Sequence, residues 1–252
     1  MSGRHAPPAD ARLAASLLLL RDRDDGQPGL EVLMLRRAER GDDMRSGAAV
    51  FPGGVLDPRD REAHAHSIGP SDDEASRWLG LAEGGLDYLV AAVRESFEEV
   101  GLLLAQGDAG GVDPAALKPW RDRLQSGAAS MAEFCRAEGL RLDLRDLAYH
   151  SHWLTPPGLP QRFDTRFFAA PAPAGQVAEA DLGEAVELMW LTPAQALDPA
   201  RELKLLPVTR RTLQELSRFR RAHAAHEAAL ERQHIALTMP HRPALKKQEQ
   251  QQ

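Results

Sequence analysis

The sequence predicts an α/β protein, and three features carry that expectation. Two apolar runs near the start, "LAASLLLLRD" (13–22) and "LEVLMLRRA" (30–38), have strand character and flank the turn-rich loop "RDDGQPG". A long amphipathic helix follows around "AAVRESFEEVGLLLAQ" (91–106). Strand character returns over 147–155 and 162–170, ahead of a helix-forming C-terminal region.

Taken in order, residues 1–10 with their two prolines read as a flexible leader, and 11–240 as a single domain. The first two runs suggest a hairpin. "GAAVFPGGVLDP" (47–58) is a short strand ending in a Pro-Gly-Gly turn. Residues 59–84 are polar, an insertion with a short helix around "DDEASRWLG". The glutamate-bearing helix is predicted over 85–104, broken by Gly107, Gly110, Gly111 and Pro114. "PAALKPWRDRLQ" and "SMAEFCRAEG" give two short helices within a 107–140 helical insertion. In "RFDTRFFAA", Arg162, Asp164 and Arg166 alternate with Phe163, Thr165 and Phe167, the pattern of a half-buried strand. "EAVELMWLTPAQAL" reads as a strand running into a helix. From Thr209, as N-cap, one helix is expected to His234, and 241–252 as a disordered tail.

Bulk properties narrow the function. With 252 residues, 43% of them hydrophobic, the chain can bury a sizeable core. Its net charge of −6 argues against nucleic-acid backbone binding as the main task. A lone Cys135 excludes an intrachain disulfide framework and a cysteine-rich zinc site. No run approaches the length of an uncharged membrane span, and "AASLLLLRDRDD" lacks the marks of a signal peptide, so the chain reads as soluble and cytoplasmic.

On the predicted helix, Glu95, Glu98 and Glu99 stand at i, i+3 and i+4 and share one side, while Leu86, Leu89, Val93, Phe97 and Val100 share the other. Two carboxylates about 4 Å apart repel by roughly 4 kcal/mol at an effective dielectric near 20. Splaying into solvent or pairing with Arg94 would relieve this. A third route is a hard divalent cation, Mg²⁺ or Mn²⁺, which prefers carboxylate oxygens.

The run Arg94-Glu95-Ser96-Phe97-Glu98-Glu99-Val100-Gly101-Leu102 matches R-E-U-x-E-E-x-G-U, the second half of the Nudix box, except for Ser96 at an aliphatic position. It resembles the Nudix hydrolases, which cleave a nucleoside diphosphate linked to another group. The full box places G-x5-E ahead of that arginine. Gly80 has the right spacing, but Leu86 stands where the glutamate belongs. The preferred start is Gly54, 40 positions before Arg94, with Asp60 as acidic stand-in and an insertion of 26 residues between.

An insertion here resembles the acyl-CoA and CoA diphosphatase branch, as do "HWLTPPGLPQRFDTRFF", "ELMWLTPAQAL" and "LLPVTRRTL". That branch's upstream signature is met in part: Gly47-x3-Phe51-Pro-Gly-Gly54 fits, and Arg37-Ala38 falls one residue out of register. The resemblance implies an α/β/α sandwich with a mixed sheet between helices, carrying helical insertions. It implies metal ligation by Glu95, Glu98 and Glu99 and orientation of a glutamate by Arg94. Glu95, Glu184 or Glu187 could be the base. Substrate contacts would come from Arg37, Arg45, Phe51, Gly53, Gly54, Arg162 and Arg166, with Arg40 a substitute.

Trp153 and Trp190 read as core residues or adenine platforms, and His150 and His152 as neighbours on one side of a strand, with metal ligation by the pair as an alternative to the oxygen ligands. The expected partner is a small nucleotide substrate: CoA or acyl-CoA, alternatively ADP-ribose or a dinucleotide such as NADH. A sensing module without catalysis is a further alternative. The expectation includes no nucleic acid and no membrane, and a homodimer is compatible with it.

Overall fold

The computed structural model describes residues 6–39, 46–107, 114–180, 185–232 and 235–240. The expected hairpin is β1 (Ala11–Asp22) against β2 (Leu30–Arg37), paired antiparallel. The short runs β3 (Ala48–Val50) and β4 (Gly53–Val55) join β2 and β1 respectively, so the Pro52-Gly53 corner carries the chain from one neighbour to the other. A 3₁₀ helix follows, Pro58–His66, then β5 (Ser67–Ile68) and α1 (Asp72–Leu79). Next comes α2 (Gly85–Val100), which bears the three glutamates.

β6 (Ala105–Gly107), α3 (Pro114–Gln125), α4 (Met131–Glu138) and β7 (Leu140–Asp143) lead back to the main sheet; β5, β7 and β6 form a small sheet of their own. β8 (Ala148–Leu154) and β9 (Arg162–Pro171) pair antiparallel, and β9 runs parallel to β1. β10 (Ala185–Leu191) adds to β2. The chain then passes through α5 (Pro193–Leu197), β11 (Lys204–Leu205), α6 (Pro207–Leu216), α7 (Ala222–Leu230) and β12 (Leu237–Thr238).

Among the described residues the main sheet is mixed and nine-stranded, with helices on both faces. Its continuous Leu17–Leu20 run explains itself there. Leu17 and Leu19 enter the core under α2, while Leu18 and Leu20 enter a second core under α5–α7. No helix among the described residues is long and apolar enough to cross a membrane.

Several expectations need correction. α2 ends at Val100 because Gly101 adopts the left-handed conformation (φ 70°) and its N–H bonds the Phe97 carbonyl. The glycine at 107 therefore does not terminate it. β9 is not half-buried: β1 and β8 flank it, both faces are covered, and Asp164 and Arg166 have no exposed surface.

The expected single helix from Thr209 is two. Pro207 opens α6, Thr209 is buried inside it, and Asp22 starts α7 afresh by accepting the Ala222 N–H at 2.7 Å. The expected leader at 1–10 is described only from residue 6, and the tail at 241–252 lies outside the described residues, as does His234.

Candidate active site

The glutamates stand in the last two turns of α2, against the β4 corner. The Gly53 N–H donates to Glu99 Oε2 at 2.7 Å. Gly54 faces Glu95 so closely that a β-carbon there would lie 2.5 Å from its Oε2. Gly53 itself has φ 154° and leaves no room for a side chain, since a β-carbon would meet the Ala15 carbonyl oxygen at 2.4 Å. The two glycines are what lets the loop press onto the carboxylates.

Arg94, 8% exposed, ties the arrangement together. Its Nε and Nη2 donate to Asp60 at 2.7 and 3.2 Å, a bidentate pair. Nη1 reaches Glu95 at 2.8 Å and Glu98 at 3.4 Å, and Nη2 also donates to the Val55 carbonyl at 2.9 Å. Asp60, 1% exposed, sits in the first turn of the 3₁₀ helix, where it also accepts the Asp57 N–H and closes a capping box. Gly80, by contrast, is the left-handed C-cap of α1 (φ 70°), away from the carboxylates. Ser96 fills its apolar slot by donating to the Leu102 carbonyl at 3.0 Å.

Burial dominates the electrostatics. It pushes the Glu98 carboxyl up to about 7, with Arg94 opposing and Glu95 adding to the rise. Burial also raises Asp60, against the pull of Arg94. The donor set is entirely hard oxygen, which fits Mg²⁺ or Mn²⁺. Among the described residues, no three such side chains already converge as ligands. The carboxylates instead meet Arg94 and the Gly53 N–H.

Of the other predicted residues, Arg37 comes near the glutamates, its Nη1 3.9 Å from Glu99 Oε1. Arg40, Arg45 and Glu184 lie outside the described residues. The remainder are placed elsewhere. Arg166 is wholly buried, pairing with Asp164 at 3.4 Å and stacking over Tyr88 at 4.4 Å, so it offers no surface to a phosphate. Arg162 is engaged by Asp10 at 2.5 and 2.7 Å and donates to the Thr155 carbonyl. Its neighbour on β1 is Ala11, four residues or about 13 Å along the strand from the Ala15–Gly54 pair.

Glu187 pairs with Arg36 at 3.0 Å, on the sheet face turned away from α2, since its neighbour Leu188 packs into the α2-side core. Phe51 is packed in the opposite core. Both Trp153 and Trp190 also pack against the cores. A β-bulge between Tyr149 and Ser151 separates the two histidines. His152 faces Asp164 at 2.5 Å, while His150 lines a cavity of about 160 Å³ beside Arg211, Glu215 and Arg232. Cys135 is buried, which pushes its thiol up to about 12.

A family model described as the NUDT19 Nudix domain matches residues 80–219. Human acyl-coenzyme A diphosphatase NUDT19 is 29% identical over 244 residues, covering 81% of this chain and 65% of that protein. The protein of the same name from Gallus gallus is 28% identical over 250 residues, covering 80% of this chain and again 65% of the relative. The chain thus spans slightly less than two thirds of the length of these relatives. The crystal structure of a Nudix hydrolase from Alicyclobacillus acidocaldarius superposes with a TM-score of 0.71 at 27% identity, covering 86% of this chain and 96% of that one.

Proposed function

The chain belongs to the NUDT19 Nudix domain family, and from that premise we propose that it hydrolyses the diphosphate linkage of CoA or an acyl-CoA. The products are 3′,5′-ADP and phosphopantetheine or its acyl form. The observation that carries this reading is the seating of Glu95, Glu98 and Glu99 against Gly53–Gly54, with Asp60 bound to Arg94. Relatives that bear the acyl-CoA diphosphatase name support the choice of substrate.

Glu95, Glu98 and Glu99 would hold Mg²⁺ or Mn²⁺. When bound, the cation neutralises phosphate charge and acidifies a water. The chain's own part is orientation. The Gly53 N–H aims Glu99, and Arg94 aims Glu95 and Glu98 while Asp60 fixes Arg94. With Glu187 on the other face, Glu95 is the base candidate that remains among the described residues. Arg37 is the described arginine beside Glu99 that can meet an anionic substrate.

Kinetics with and without chelator test this. Turnover should vanish without Mg²⁺ or Mn²⁺, and Glu99→Gln should fold normally yet lose roughly a hundredfold or more in rate. Full turnover by that variant would remove Glu99 as a ligand. Arg37→Ala should lower kcat/KM on CoA about tenfold to a hundredfold, the size of one charge-assisted contact. A smaller loss on dephospho-CoA assigns Arg37 to the 3′-phosphate; an equal loss assigns it to the diphosphate.

A further inference from the structure

Both ends of α2 are capped by side chains from other helices. At the start, Gly84 has no side chain to offer. Asp72 of α1 substitutes, accepting the Gly84 and Leu86 N–H groups at 3.0 and 2.9 Å, and Ser76 accepts that of Gly85 at 2.9 Å. Gly85 permits this approach, because a β-carbon there would lie 2.2 Å from the Ser76 nitrogen.

At the far end, Arg121 of α3 donates from Nε to the Glu98 carbonyl at 2.9 Å and from Nη2 to the Glu179 carbonyl at 2.8 Å. Gln125 donates to the same Glu98 carbonyl, and the Glu179 N–H closes the loop on the Val100 carbonyl at 2.9 Å. Arg121 is 8% exposed, a buried cation held at a helix C-terminus.

The signs of the caps complement the helix dipole, an anion at the start and a cation at the end. The two ends are not equivalent, however. Three carboxylates crowd the end that is already negative, and the carbonyl Arg121 holds belongs to Glu98 itself. Asp72 acts three turns away from them.

We propose that Arg121 is a positioning residue. By fixing the Glu98 carbonyl it sets the backbone of the turn that carries Glu98 and Glu99, and so sets how tightly those carboxylates take a divalent cation. Asp72 holds the same helix at its other end and contributes stability alone. This inference rests on the reading of the glutamates as cation ligands.

Manganese binding to the full chain, followed by titration calorimetry, tests it without recourse to turnover. Melting temperatures of the metal-free proteins are read alongside. D72A should melt lower than wild type and bind Mn²⁺ within twofold of it. R121A should bind about tenfold more weakly, the scale of a buried charge at a helix end. R121K, which keeps the charge but loses the planar fork, should fall between. If R121A does not fold, R121K against D72A decides.

Equal Mn²⁺ affinity in wild type and the arginine variants would overturn the proposal. So would a loss in D72A as large as that in the arginine variants, since that would make the effect one of general stability. If wild type itself binds no Mn²⁺, it is the ligand reading of the glutamates that fails.

Discussion

One extra residue in β8 decides the fate of His150. The bulge turns it away from His152 and buries it to 3% exposure beside Arg232 and Glu215. Burial, then the Arg232 charge, depresses its imidazole to about 4. The unfolded chain, near 6.5, then binds the proton more readily than the folded one. Stability from this group is present above pH 6.5 and lost as pH falls through the window down to about 4, by up to about 3 kcal/mol. Chemical denaturation at pH 4.5 and 7 should show that loss, and His150→Gln should flatten it; an unchanged profile would reject the assignment. Asp60 carries a different single-residue expectation. Asp60→Ala leaves the Arg94 guanidinium buried without its bidentate partner, at a cost of about 3–5 kcal/mol measurable in urea.

At the scale of elements, most of the fold was legible where pattern and turn chemistry agree. The β1–β2 hairpin, α1, α3, α4 and the β10-to-α5 passage all occur where the apolar runs and breakers put them. The failures have local physical causes. A 3₁₀ helix over Pro58–His66 hid in polar residues because it is held by the Asp57–Asp60 capping box and not by an apolar stripe. The break between α6 and α7 was invisible because Asp22, on a distant strand, supplies the cap. Asp22→Ala should therefore lower stability by about 1 kcal/mol, with the loss of amide protection concentrated at the start of α7. Protection lost evenly across the molecule would contradict that origin.

At the scale of the whole molecule, the shared face of the three glutamates could be read from spacing, since i, i+3 and i+4 fix a helix face without knowledge of the fold. Gly54 came from the family resemblance, and the seat that Gly53 and Gly54 form for the carboxylates is visible only in the structure. The arginines could not. The resemblance implies Arg162 and Arg166 as substrate contacts and the alternation reads β9 as half-buried, yet Arg166 is wholly interior and Arg162 is held by Asp10 at the start of the strand. Arg121, which holds the far end of α2, carried no sequence signal at all; only the packing of α3 against α2 reveals it. What unites these levels is a helix held at both ends and along one side, so that three carboxylates are kept together against the Gly53–Gly54 corner. The most direct measurement is mass spectrometry of the products formed with Mg²⁺ from equimolar CoA, acetyl-CoA, ADP-ribose and NADH. The expected products are 3′,5′-ADP together with phosphopantetheine or its acetyl form, ahead of any product from the other two. Cleavage of ADP-ribose or NADH with CoA left intact would contradict it.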